Sequence, residues 1–191
     1  MSTGSTAGAP QQRSARDWNA VAAIVASLIG LMALVVSGYT AYVQRQQVRA
    51  QVWPYLMVGY ADIERARIVF NKGVGPALVR SVQIFVDGKP QPDWSHVMSA
   101  LGLSDRISYQ QSTLGNNVLS ANEKLDVLVI VDTDGYKAFR EQSLGRASTR
   151  ICYCSTLGDC WMYDDDRKPE EPRTQPIDRC PDLPAADAFR Q

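Results

Sequence analysis

WNAVAAIVASLIGLMALVVSGYTAYV, residues Trp18 to Val43, decides how the rest of the chain is built. It holds no charged side chain. A bilayer's hydrocarbon core is about 30 Å thick and a helix rises about 1.5 Å per residue, so about 20 apolar residues cross it. Only a helix satisfies its own backbone hydrogen bonds in lipid, which predicts a single transmembrane helix over 18–43. A cleavable signal peptide has an apolar region of only about 7–15 residues before a small-residue site. Here the run passes Ser37-Gly38 and continues through Tyr39, Tyr42 and Val43 to Gln44-Arg45. An uncleaved signal anchor therefore fits better than a cleaved signal or the core helix of a soluble protein. Trp18, Tyr39 and Tyr42 are the amphipathic aromatics that settle at membrane interfaces.

One face of this helix is small. Ala22, Ala26, Gly30, Ala33, Ser37 and Ala41 recur every three or four residues, a spacing that keeps them on one stripe. Such a stripe lets a second helix approach closely, so a homo-oligomer through the helix is one expectation; small residues are also frequent in membrane helices by composition alone.

Outward from the helix, residues 1–17 open with MSTGSTAGAPQQ, which lacks large apolar side chains and predicts a disordered cytoplasmic tail. Residues 44–53, QRQQVRAQVW, contain good helix formers and should continue the helix about two turns into water, until Pro54 stops it. The pattern then becomes strand-like. Tyr55–Tyr60, Arg67–Phe70 and Leu78–Val86 mix β-branched and aromatic residues with polar ones. Asp93 looks like a helix cap, followed by Trp94, Val97, Met98 and Leu101 at helical spacing and Gly102 as terminator. Arg106–Gln110 and Asn117–Leu119 are weaker strands. LDVLVIV, Leu125–Val131, is apolar enough for a central one. Asp132–Gly135 reads as a turn, Tyr136–Leu144 as a short helix, and Thr149–Ser155 with Cys160–Asp164 as a hairpin. The expected fold class is mainly β: a β-sandwich over 54–165, with the immunoglobulin type as a candidate and one or two short helices. Residues 166–191 are Pro-rich and acidic, a loose tail over that domain.

Charge and cysteines bound the function. Net charge is zero, so neither nucleic acid nor a polybasic membrane surface is implied. Arg13 and Arg16 before the helix nearly balance Arg45 and Arg49 after it. All four cysteines, Cys152, Cys154, Cys160 and Cys180, lie on the C-terminal side. An even set confined to one side fits disulfides in an oxidising compartment. The expected location is the cell inner membrane, single-pass, with the N-terminus cytoplasmic and a periplasmic domain. The C-x-C-x5-C-x19-C spacing is a poor match to paired zinc ligands. Of three possible pairings the hairpin favours Cys154–Cys160, placed opposite each other, with Cys152 on the same face reaching Cys180.

Other motifs carry little chemistry. Gly73–Pro76 lacks the Gly-Lys-Ser/Thr of a phosphate loop and reads as glycines allowing positive φ between strands. His96, the one histidine, has no triad or metal spacing around it. Asp132/Asp134 and Asp164–Asp166 lack the bidentate glutamate of a calcium loop. Asn71–Ala77 (N-x-G-x-GPA), the VWP after the helix and YCS…CW over Tyr153–Trp161 resemble uncharacterised bacterial single-pass membrane proteins. That resemblance implies an exported β domain and brings with it no activity and no binding residue; no cofactor is expected. The functional expectation is a non-enzymatic interaction domain contacting another membrane or periplasmic protein. The alternative is a small-ligand sensor or enzyme whose pocket gathers residues scattered in sequence.

Overall fold

The apolar run is helical, and the helix outlasts it at both ends. The computed structural model describes residues 11–103, 107–184 and 187–190. They form two compact units, one up to Val48 and one from Arg49. The first unit is built on the helix α1, Gln11–Gln51, which begins before Trp18, carries on past Val43 and ends within the second unit. The expected tail is thus helical from Gln11, while Met1–Pro10 lies outside the described residues. The large apolar side chains from Trp18 to Tyr42 are exposed, unlike those of a core helix. By length and composition α1 is able to cross a membrane.

The second unit is mainly β. Its strands are β1 (Leu56–Ala61), β2 (Ala66–Asn71), β3 (Ala77–Val86), β4 (Lys89–Gln91), β5 (Tyr109–Gln111), β6 (Val118–Leu119), β7 (Lys124–Ile130), β8 (Ala147–Cys154), β9 (Cys160–Asp164) and β10 (Thr174–Ile177). Helices α2 (Trp94–Ala100) and α3 (Thr133–Ser143) interrupt them. One sheet runs β1-β2-β7-β5, the other β10-β9-β8-β3-β4, with β6 also on β3. All pairings are antiparallel. Apart from β10 and β6, this is the strand order of an immunoglobulin-like sandwich, A-B-E-D against G-F-C-C′. Leu56, Val69, Val127 and Leu128 of the first sheet share one core with Val79, Ile84, Ile151 and Tyr153 of the second. The disulfides differ from the immunoglobulin pattern, because both sit on the outer face of the second sheet instead of bridging the two.

Several expected elements shift. The Asp132–Gly135 turn is the first turn of α3, since Asp132 caps the helix by accepting from the Gly135 N–H at 2.5 Å. The described residues beyond Asp165 do not form a loose tail. Thr174–Ile177 pairs with β9, and Phe189 is buried with its N–H on the Val82 carbonyl at 3.0 Å. The Phe189 ring meets Trp94 edge-on, 5.2 Å between centroids. Both β4 and β10 contain a proline and lie on sheet edges, where a missing N–H is tolerated. That proline hides such strands from pattern reading. Arg106 lies outside the described residues, and the strand there is Tyr109–Gln111.

The N-x-G-x-GPA segment closes the domain where the chain enters it. Asn71 is fully buried. Its Oδ1 accepts from the Tyr55 N–H (3.1 Å) and the Gly73 N–H (3.0 Å). Its Nδ2 donates to the carbonyls of Gly75 (2.8 Å), Leu119 (3.0 Å) and Ser120 (3.1 Å). Contrary to expectation, neither Gly73 nor Gly75 has positive φ. The glycines are needed for contact: a Cβ on Gly75 would lie 2.2 Å from the Val52 carbonyl oxygen, and one on Gly73 2.4 Å from that of Trp53. Removing the Asn71 side chain leaves several buried backbone groups unpaired, each worth about 1–3 kcal/mol. Asn71→Ala is therefore expected to cost about 3 kcal/mol or more of domain stability, and Gly75→Ala a comparable amount. Chemical denaturation of the full chain in detergent checks both; a loss under about 1 kcal/mol would contradict the hub.

Candidate functional site

Most charged residues of the domain stand on its surface, but one polar cluster is built into the end where β1 finishes and β2 and β8 begin. Arg67 interrupts the apolar run of β2 that leads to Asn71, and is buried. It donates to Thr149 Oγ1 of β8 at 2.6 Å and to Asp165 Oδ2 at 3.1 Å. The Asp165 carboxylate also accepts the Thr149 N–H at 2.6 Å. Arg67 lies over the Tyr60 ring at 4.9 Å, and Arg140 of α3 lies over the same ring at 3.9 Å. The Tyr60 hydroxyl meets buried Ser143 Oγ at 3.1 Å. Arg140 pairs with Asp62 at 3.3 Å, and Asp62 accepts from the Tyr136 hydroxyl at 2.5 Å.

Two adjoining concavities open on this cluster. One, of about 640 Å³, is lined by Tyr60, Arg67, Arg140, Arg146, Asp165 and Arg173 among others. The second, of about 520 Å³, lies between the β1–β2 turn and α3, lined by Asp62, Arg65, Tyr136, Arg140 and Leu144. Burial pushes the Tyr136 hydroxyl well above its ordinary range, and the bond to Asp62 adds to this. Burial likewise raises the Asp165 carboxyl, outweighing the pull of the Arg67 guanidinium beside it. Each charged group of Arg67, Asp165, Arg140 and Asp62 is met by another, so the cluster is an electrostatic clamp between elements. A nucleophile held by a base is not among its contacts.

The residues singled out from sequence are elsewhere. The disulfides are Cys152–Cys180 and Cys154–Cys160, the connectivity expected from the hairpin. Three of those sulfurs lie close enough to share a metal ion, yet as disulfides they have no thiolate to offer one. Ala22, Ala26, Gly30, Ala33, Ser37 and Ala41 are all exposed on α1, and a Cβ on Gly30 would meet nothing within 4 Å. His96 is exposed, with its ring and its backbone N–H both on the capping Asp93. Asp134 pairs with Lys137, Asp164 with Arg150 and Asp165 with Arg67, so the acidic runs serve ion pairs. The Tyr60–Arg67–Arg140–Asp165 cluster escaped sequence reading because its members come from four separate segments. A charged residue inside apolar ARIVF was the single visible sign of it.

The fold and cluster define a two-sheet, disulfide-bonded β domain following one long apolar helix. Comparison with known protein families, with curated proteins and with solved structures gives no match. The cluster itself makes a pH prediction. A carboxyl raised in the folded state holds a proton there that the unfolded chain has released. Its contribution is complete below the unfolded value of about 3.9 and is lost as pH rises through the folded value. The stability of the natural chain relative to Asp165→Asn should therefore fall as pH rises above about 4. Denaturation midpoints of both chains across that window check it; a difference that grows with pH would place the carboxyl below its ordinary range.

Proposed function

We propose that this is a signal-anchored, single-pass protein of the inner membrane, N-terminus cytoplasmic, displaying a non-enzymatic interaction domain on the exported side. The exposed apolar surface of α1 and the two disulfides support that placement. The observation carrying the interaction reading is the groove between the β1–β2 turn and α3. Ile63 at the turn is 97% exposed and Leu144 on the groove's rim 78%, and Val131 at 53% follows Ile130, whose carbonyl accepts from Arg65 Nε at 3.2 Å. Large aliphatics left in water beside charged rims mark protein contact surfaces. The partner is another membrane or periplasmic protein, and a homo-oligomer through the α1 stripe is compatible with it.

A second reading draws on the larger concavity, where Arg67, Arg140, Arg146 and Arg173 face Asp87, Asp165 and Asp166 and leave a small positive excess for a small anion. One experiment separates the two. Ile63→Asp with Leu144→Asp should abolish a specific cross-linked partner band in intact membranes while leaving the denaturation midpoint unchanged, since both side chains are exposed. A protein working through the arginine concavity would be indifferent to that pair. For the anchor, Ser5→Cys should resist an impermeant thiol reagent in intact cells, and Gly30→Leu should weaken cross-linking between copies. Labelling of Ser5→Cys without permeabilisation would reverse the orientation.

A further inference from the structure

Two disulfides in one small domain usually act independently. Here they touch. The hairpin pairs Cys154 with Cys160 in direct register, and Cys152 stands two residues back on the same outer face of β8. The tail brings Cys180 onto that face and bonds it to Cys152. Cys180 Sγ then lies 3.8 Å from Cys154 Sγ, and the sulfurs of Cys154, Cys160 and Cys180 are all within 4.8 Å of one another. One electrophilic sulfur therefore stands between two potential partners on a single strand. The sulfurs border a cavity of about 470 Å³ between sheet and tail, which gives a small thiol access. Arg80 and Arg179 line the same cavity against a single carboxylate, Asp182, and cations near a thiol favour its thiolate.

We propose that the two disulfides form an exchange site in which Cys180 passes between Cys152 and Cys154. The co-reactant is a dithiol, of the kind carried by thiol–disulfide oxidoreductases. Its first thiolate attacks Cys160, breaking the Cys154–Cys160 bond and releasing Cys154 as a thiolate. Its second thiol resolves the mixed disulfide, leaving Cys160 as a thiol and the dithiol oxidised. Cys154 then attacks Cys180; the Cys154–Cys180 bond forms, the Cys152–Cys180 bond breaks, and Cys152 leaves as a thiolate that takes a proton from solvent. The net change is one dithiol oxidised and one protein disulfide reduced. The tail stays tethered throughout, two residues nearer the hairpin turn, and the domain gains a thiol pair at Cys152 and Cys160.

Cys160→Ser in the full chain frees Cys154 without any reductant. After incubation at pH 8, acid quench and alkylation, peptide mapping should find Cys154–Cys180 as at least about one tenth of the tail linkage, beside Cys152–Cys180. At pH 5, where few thiolates exist, conversion should slow at least about tenfold. Cys152–Cys180 alone at pH 8, with Cys154 fully alkylated, would overturn the proposal. The natural chain gives a check that needs no substitution. Substoichiometric dithiothreitol should yield, among its first two-thiol species, one joined through Cys154–Cys180 with Cys152 and Cys160 alkylated, at about one tenth or more of the total. Two-thiol species that retain only Cys152–Cys180 or only Cys154–Cys160, with Cys154–Cys180 never found, would equally overturn it.

Discussion

The buried amide of Asn71 holds together three stretches of chain that are mostly loop: the entry to β1, the segment leading to β3 and the end of the short strand β6. It replaces the partners that the backbone at Tyr55, Gly73, Gly75, Leu119 and Ser120 would otherwise seek in water. Loops can be buried only when their polar groups are met, and here one side chain meets five of them. The first strand, the loop into the third and the turn before β7 all depend on it. With those stretches fixed, Gly73 and Gly75 bring the loop against the Val52–Pro54 backbone at a separation that excludes any side chain. The segment through which the chain enters its domain is thereby part of the domain's own packing.

The sandwich is closed differently on its two faces. Its interior is apolar and continuous, with α2 and Phe189 completing it through Trp94. At one end the sheets are joined by polar contacts, Arg67 of β2 reaching Thr149 of β8 and the Asp165 carboxylate beyond β9. Such a buried pair contributes less by attraction than by the penalty on any arrangement that separates it. On the outer face of the second sheet the covering layer is covalent: the tail is bound at Cys180, and Cys152 beneath it is almost wholly buried. A domain of ordinary size thus uses Cys152–Cys180 to hold down its covering segment, and leaves the joining of its sheets to the core and the Arg67 contacts.

Much of this was legible in residues whose neighbours in sequence are also their neighbours in space. Asp93 caps α2 and Gly102 ends it at positive φ, as the local pattern implied. LDVLVIV is a strand with a neighbour on each side, and the Cys154–Cys160 register followed from the length of the hairpin connection. What stayed hidden depends on distant partners. β10 is a four-residue edge strand that exists because β9 offers it an edge, and no periodicity betrays so short a run. The glycines of the N-x-G-x-GPA segment looked like turn residues, because nothing local says that another stretch of backbone lies on them. Tyr60, Arg67, Arg140 and Asp165 meet only after both sheets and α3 are in place.

β1 lies at the margin of its sheet, yet two of its outward backbone positions are occupied. The Leu56 N–H donates to the Tyr153 hydroxyl at 3.3 Å, and the Tyr163 hydroxyl meets the Val58 backbone. Both rings rise from the opposite sheet with their bodies in the core and their polar tips at β1. An open six-residue margin is a template on which an unfolded neighbour can add a strand. Here side chains of the same molecule fill two positions of that template once the sandwich closes. A neighbouring strand approaching the closed domain meets two phenols where it would need free amides, with no charged or proline gatekeeper in β1 itself.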